Sequence, residues 1–351
     1  MTKYIDIHVL QNMPANSINH DDFGQQKTVV YGGTLRQRVS SQAWKRAVRQ
    51  DFQKESEDYV KAHRTKHMVK IIAEEMMKQD PSTNFEANAK LAKEAIKAGI
   101  GSKFESGKDK DSNDTTMLLM LSIGQIRNLA RYLLTESNID FSDKATKTQL
   151  KNLFTHDNSL DLALFGRMVA DDESLNVDAS CQVAHAFSVN EIVPENDYFT
   201  AIDDDATTNQ GAAMLQHTSY NTATLYRYAN VNVDELQHNL ENEDLANKGL
   251  KLFIKDFITS MPTGKQNSFA NKTLPSYIML ELRNDTPVNL ASAFEQPIRS
   301  KSGYLDKAIE ALQLENDKVQ KLVEKPAKTV IINLNDPNSK SLTEAINEIV
   351  D

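Results

Sequence analysis

The order in which two periodicities alternate along the chain constrains its fold most. Residues 4–10, YIDIHVL, alternate with the period of a strand: Ile5, Ile7 and Val9 fall on one side, Tyr4, Asp6 and His8 on the other. Residues 40–52, SSQAWKRAVRQDF, switch to a helical period, with Ser40 or Ser41 as N-cap. Residues 180–193, SCQVAHAFSVNEIV, read as a strand, and 222–236, TATLYRYANVNVDEL, as a second alternating one. In the latter, Leu225, Ala229, Val231 and Val233 face a core, while Tyr226, Tyr228, Asn230 and Asn232 take the other side. A long helix from about Asp234 to Ser260 and the strand SYIMLELR (276–283) follow. Strand, helix, strand, strand, helix, strand is the ferredoxin-like split βαβ order, shared with RNA-recognition modules that lay RNA across their sheet. The expected class is α+β.

Between the first helix and the second strand lies a segment of different character. Stretches beginning EDYVKAHRTK, FEANAKLAKE, TTMLLMLSIG and DLALFGRMVA all read as helices, so residues 57–180 form a large helical insertion. The palm-forming parts are then 1–56 and 181–351. After SYIMLELR come a helix near 303–324, a strand TVIINL and a short closing helix.

Charge is segregated. Residues 27–50 hold six Lys or Arg and no acid, in a chain with 49 Asp+Glu against 40 Lys+Arg and a net charge of −9. Net charge argues against nucleic acid, but phosphate contacts are local, because the Debye length near physiological salt is about 8 Å. On a helical wheel Gln42, Lys45, Arg46 and Arg49 fall within about 100° of arc, with Trp44, Ala47 and Val48 opposite. Such a strip is either a solvated helix face or a phosphate site. Arg forks, Lys point charges, Ser40 and Ser41 hydroxyls and a helix N-terminus all suit phosphate. The Gly32-Gly33 pair upstream permits a tight turn or close approach to another molecule.

Other candidates are weaker. PTGKQNSF (262–269) is no Walker loop, since Thr259 and Gln266 stand where Gly and Ser/Thr are required. Asp203 to Asp205 and the pair Asp21-Asp22 suit either a metal ion or a solvated loop. His8 and His185 read as core or edge residues, and Met168 as packing. Tyr198 and Phe199 sit in the acidic stretch 191–209, either anchoring it or forming a wedge that stacks on bases. The single cysteine, Cys181, excludes an intrachain disulfide and a multi-cysteine zinc site. The N-terminus lacks an apolar signal region, and the most apolar helical stretch is broken by Arg127 and Arg131. The expectation is a cytoplasmic protein without membrane contact.

The segments IDIHVL, NHDDFGQQK, YGGTLRQRVSSQAWKRAVR, GRM, AHAF, DYFTAIDD, LYRYANVN, GKQNSF and VNLASAFEQPI, in this order, resemble the CasC family, the backbone subunit of the type I-E CRISPR Cascade complex. The resemblance implies a hand-shaped fold: an RRM-type palm, helical fingers over 57–180 and a β-hairpin thumb over 191–222. It implies a non-catalytic scaffold that binds CRISPR RNA, stacks on neighbouring copies of itself, meets other Cascade subunits, and presents the guide to target DNA. Carried over by position, the RNA contacts fall on Asn19, His20, Lys27, Ser40, Gln42, Lys45, Arg46, Arg49, Lys265 and Gln266. Met168, Tyr198 and Phe199 would press on displaced bases. His20 stands where relatives can carry Arg, and Tyr198 where they carry Trp. No cofactor or metal is implied. The rival expectation is a metal-dependent ribonuclease that cuts target RNA with Asp21 or Asp22, as related type III backbone subunits do with a loop Asp.

Overall fold

The structure, a computed structural model, describes residues 2–101, 114–136, 138–169, 172–200 and 215–351. Asp203 to Asp205 lie outside the described residues. In chain order the strands are β1 (Tyr4–Asn16), β2 (Thr28–Tyr31), β3 (Thr34–Val39), β4 (Ala62–Thr65), β5 (Leu119–Ser122) and β6 (Cys181–Val183). Then come β7 (Ala186–Ser188), β8 (Glu195–Thr200), β9 (Leu215–Asn232), β10 (Tyr277–Arg283) and β11 (Lys328–Asn333). The helices are α1 (Ser41–Phe52), α2 (Met68–Gln79), α3 (Phe85–Gly99), α4 (Ile123–Thr135), α5 (Lys144–Thr155) and α6 (Leu160–Phe165). They continue with α7 (Val233–Leu240), α8 (Glu243–Thr259), α9 (Gln266–Phe269), α10 (Leu305–Val319) and α11 (Leu342–Val350). The chain divides into two compact units: 1–51 with 183–230 and 250–351, and 52–182 with 231–249.

The first unit is built on a sheet of order β11-β10-β1-β9-β7-β3-β2, with β8 paired to β9 as a hairpin. Its centre, β10-β1-β9-β7, has the strand order of the ferredoxin-like fold, and α1 and α8 supply the two crossovers. β1 and β10 are antiparallel from Tyr4↔Arg283 to Leu10↔Tyr277. On one face Leu225 of β9 packs with Val39, Trp44 and Met261. On the other, Tyr226, Tyr228, Tyr277 and Met279 pack against Leu290 and Phe294 and against Ala308, Ile309 and Leu312 of α10. Tyr226 and Tyr228 are 1% and 5% exposed, so this sheet face is not open to RNA as in an ordinary RNA-recognition module. A second layer, supplied by residues 290–294 and α10, has covered it.

That covered face holds a fully buried polar network. Asp6 and Glu281 are directly opposed across β1 and β10, with Arg283 between them. Arg283 Nε lies 2.9 Å from Asp6 Oδ2, and its Nη2 donates to Glu281 Oε2 at 2.6 Å. Tyr228 donates to Asp6 Oδ1 at 2.7 Å, the Val288 amide to Asp6 Oδ2 at 3.0 Å, and Asn316 to Glu281 Oε1 at 2.6 Å. His8 Nδ1 is hydrogen-bonded to the Tyr226 hydroxyl at 2.9 Å. Burial pushes the Asp6 carboxyl up to about 7 and the His8 imidazole down to about 3.

β2 and β3 are joined by Gly32 and Gly33 alone, both with positive φ, as a two-residue hairpin turn of the primed kind requires. The close approach that the pair permits is made within the chain: a Cβ on Gly32 would sit 1.6 Å from the Glu295 carbonyl oxygen, whereas one on Gly33 meets open space. Gly32→Ala is therefore expected to lower stability by about 2–3 kcal/mol, from clash and left-handed strain together. Gly33→Ala is expected to cost about 1 kcal/mol, from strain alone. Urea midpoints of the two variants check the difference, and equal losses would contradict it.

The second unit packs α2, α3, α4 and α5 around Ile72, Met76, Ala92, Ile96, Leu129, Leu150 and Phe154. Four segments differ from the helical reading. Ala62–Thr65 and Leu119–Ser122 are strands, paired to each other. Helix α4 starts only after Ser122, where a capping box with Gln125 resets the chain. α6 stops at Gly166, whose φ of 77° leaves the helical region, and a larger residue is shut out because a Cβ there would lie 2.8 Å from the Val177 oxygen. The single helix expected over 234–260 is two, broken at Glu241 with φ 53° and restarted where Asn242 accepts the Leu245 amide. Among the described residues no helix is long and apolar enough to cross a membrane.

Candidate nucleic-acid interface

Helix α1 is positioned from both ends of its chemistry. Trp44, Ala47, Val48 and Phe52 form its buried side. Beneath Trp44 lies Arg227 of β9, whose guanidinium carbon is 3.8 Å from the ring centroid. Arg227 donates to the Phe257 carbonyl and, at 2.7 Å, to Gln11 Oε1, so it ties α1 to α8 and β1 through the sheet. At the helix start, the Ser40 amide donates to Asn19 Oδ1 at 2.9 Å and the Ser41 amide to His185 Nδ1 at 2.9 Å. Ser40 Oγ accepts the Ala43 amide at 3.3 Å. Burial, then the nearby Arg38 charge, hold the His185 pKa below its ordinary value, which keeps Nδ1 a neutral acceptor. These backbone donors are thus satisfied within the protein. Those three amides are therefore not offered to a phosphate, and the Ser40 and Ser41 hydroxyls stand beside them at the helix start.

On the outer side Gln42 and Arg46 are exposed, and Lys45 and Arg49 are half-buried. Lys45 and Arg49 each already have an interaction partner; Arg46 makes no ion pair among the described residues. Of the six basic residues in 27–50, Arg36 leaves the set altogether. It is fully buried and donates to the carbonyls of Ser188, Val189 and Phe294 at 2.8, 2.9 and 3.0 Å.

Two further segments flank this helix start. Residues 19–27 form a closed loop: the Lys27 amide donates to the Asn19 oxygen at 2.9 Å, and His20 bridges Gln26. Asn19 therefore holds the loop with its backbone and α1 with its side chain. The turn at 263–266 comes next to it, since a Cβ on Gly264 would lie 2.4 Å from the Ile18 oxygen. Lys265 adopts φ 53° there and leads into α9 with Gln266. Both are half-buried. The structure so brings Asn19, His20, Lys27, Ser40, Gln42, Lys265 and Gln266 to one end of α1, with Lys45, Arg46 and Arg49 along it.

The β8–β9 hairpin is antiparallel from Glu195↔Tyr220 to Thr200↔Leu215. Tyr198 is 68% exposed, and its ring lies 6.2 Å from that of its cross-strand partner His217. Tyr220, at the hairpin base, has its ring 5.7 Å from Phe269 of α9. Phe199 follows Tyr198 in β8; its side chain lies outside the described residues. Met168 belongs to the second unit and is 87% exposed, so it is not a packing residue there. Sequence reasoning missed His185 as the cap of α1. The only signal for it was a polar residue between two short apolar runs, which does not specify a helix cap.

The candidate metal residues separate. Asp21 Oδ1 accepts the Phe23 and Gln25 amides, both at 2.9 Å, as a turn cap. Asp22 is exposed. Among the described residues the one grouping with ligand spacing is Asp6, His8 and Glu281, fully buried and already hydrogen-bonded as above.

No curated protein matches the chain. Two solved structures match nearly all of it, each over 99% of both chains. One, described as "CRISPR RNA-guided surveillance complex, pre-nicking", is 30% identical with a TM-score of 0.84. The other, described as "CRISPR RNA-guided surveillance complex", is 27% identical with a TM-score of 0.73. Residues 5–351 match the family described as CT1975-like protein, and with a match of that extent the chain belongs to the CT1975-like family.

Proposed function

We propose that this chain is the CRISPR RNA-binding backbone subunit of a guided surveillance complex, of the CasC kind found in type I-E Cascade. Copies would polymerise along the guide spacer, kink it at regular intervals and present the intervening segments to target DNA, beside other Cascade subunits. The observation that carries this reading is the outward polar face of α1, framed by the 19–27 loop and the 263–266 turn, in a chain that matches surveillance-complex structures end to end. Phosphate contacts and stacking do not read base identity, which suits a scaffold that must accept any guide. The acidic remainder, which brings the whole chain to a net charge of −9 despite the basic run, limits stray nucleic-acid binding and keeps assemblies in solution. A non-catalytic role agrees with Asp21, whose carboxylate is committed to a turn.

Two measurements test the reading. Co-expression with the neighbouring subunits should co-purify a small RNA of defined length. For a single-stranded ligand each phosphate contact adds about 0.7 to the slope of log affinity against log salt. Arg46→Ala should therefore flatten that slope by about 0.7 per engaged subunit. An unchanged slope removes Arg46 from the interface. Magnesium-dependent cleavage of complementary RNA by the complex, lost in Asp22→Ala, would replace the scaffold by a ribonuclease.

A further inference from the structure

Phe23 is 82% exposed, on a loop that is otherwise closely held. The Asp21 carboxylate accepts its amide and that of Gln25. The Gly24 amide donates to the Asp21 oxygen at 3.1 Å, and the Asp21 amide to the Gln25 oxygen at 2.9 Å. The loop is thus closed at its base and capped at its tip, and the ring stands out from a fixed backbone. A bare aromatic ring on a mobile loop is unremarked surface, but one on a pre-organised turn loses little entropy when a ligand covers it.

Its surroundings indicate the ligand. Asn19, His20 and Lys27, the proposed phosphate contacts, flank it on both sides of the loop. Gly24 faces the backbone of His217, whose ring pairs with exposed Tyr198. Asp22 and Gln25 beside it in the chain are exposed, one anionic and one neutral, so the ring's chain neighbours add no apolar surface to it. The Lys27 cation and the polar Asn19 and His20, on a loop that presents an exposed ring, match a nucleotide, with charge at its backbone and a flat apolar face at its base, while the exposed Asp22 carboxylate works against that match.

We propose that Phe23 is a nucleobase-stacking residue of the guide-binding surface, presented by the Asp21-capped loop. The proposal rests on the RNA-scaffold reading and names a contact within it. Phe23→Ala, made in the full chain, should weaken binding of a short single-stranded RNA by roughly tenfold. The salt slope should stay unchanged, since no charge is removed. Phe23→Trp should retain affinity, and Phe23→Leu, equally apolar but without a π face, should not. With 2-aminopurine in the RNA, the quenching given by the unaltered protein should be relieved in Phe23→Ala. Unchanged affinity in Phe23→Ala, while Arg46→Ala still flattens the slope, would overturn the stacking role and leave the scaffold standing. Restoration by Leu would overturn it in favour of an apolar contact between copies. If the unaltered chain binds no RNA, the scaffold reading fails and the stacking role falls with it.

Discussion

Arg227→Ala is expected to lower the stability of the first unit by about 3–5 kcal/mol, and to weaken RNA binding without touching the interface. Arg227 is 1% exposed and has no carboxylate partner in its described contacts. Burial pulls its pKa down to about 9, so it remains charged at neutral pH. The charge is held by the face of Trp44 at 3.8 Å, by Phe257 at 4.8 Å, and by Gln11 and the last carbonyls of α8. A desolvated cation–π contact is worth about 2 kcal/mol. Each acceptor left unpaired adds about 1 kcal/mol or more, and the void adds to that. Arg227→Lys keeps the charge but not the planar fork that stacks and bonds at once, and should recover less than half of the loss. Trp44 is the buried anchor of α1, so the outer strip loses its fixed placement when the ring loses its seat. Urea titration gives the stability, and amide exchange across 41–52 should rise in the variant. A midpoint shift worth under 1 kcal/mol would show that Arg227 does not hold the helix.

Why the sequence foretold some of this and not the rest is visible in particular residues. The inner side of α1 was legible because Trp44, Ala47 and Val48 repeat with the helix and meet one core. The strand β1 was legible for the same reason. Its alternation separates two faces without saying what covers the second, so His8 reads as a core or edge residue while the burial of Asp6 beside it has no local signal. They are buried because residues 290–294 and α10 cover them, and only the pairing of Asp6 with Glu281 and Arg283, over 270 residues away, makes that tolerable. Arg36 was counted as available charge because composition does not say where a side chain ends. Its partners are carbonyls from remote segments. Ala62–Thr65 and Leu119–Ser122 were absorbed into neighbouring helices because four residues are too few to establish a period. The capping box at Ser122 and Gln125 was present in the sequence and would have placed the boundary. In the candidate interface, the residues drawn from local pattern lie on α1. Those on the 19–27 loop and the 263–266 turn were reached by resemblance, because their proximity is a product of the fold.

The Asp6–His8 network should make itself known through pH, but only when one member is removed. Asp6 titrates near 7 in the folded protein against an ordinary 3.8, so its contribution to stability is full below about 3.8 and is lost as pH rises through 7. His8 is displaced the other way, to about 3 from 6.5, so its contribution is lost as pH falls from 6.5 through 3. Between these limits the folded protein carries one proton on Asp6 and the unfolded chain one on His8. The two slopes, each about 1.4 kcal/mol per pH unit, therefore offset. His8→Asn removes one slope: relative to the unaltered protein, its stability should fall by about 3 kcal/mol as pH rises from about 4 to 6.5. Asp6→Asn should do the reverse over the same range, becoming less destabilised as pH rises. Neither residue is among the causes of the other's displacement; the neighbours that act on both are Arg283 and burial itself. Constant offsets from lost packing shift each curve without changing its slope, so urea titrations across this range isolate the proton effect. Parallel pH profiles for all three proteins would mean that neither proton is where the burial of these groups requires it to be.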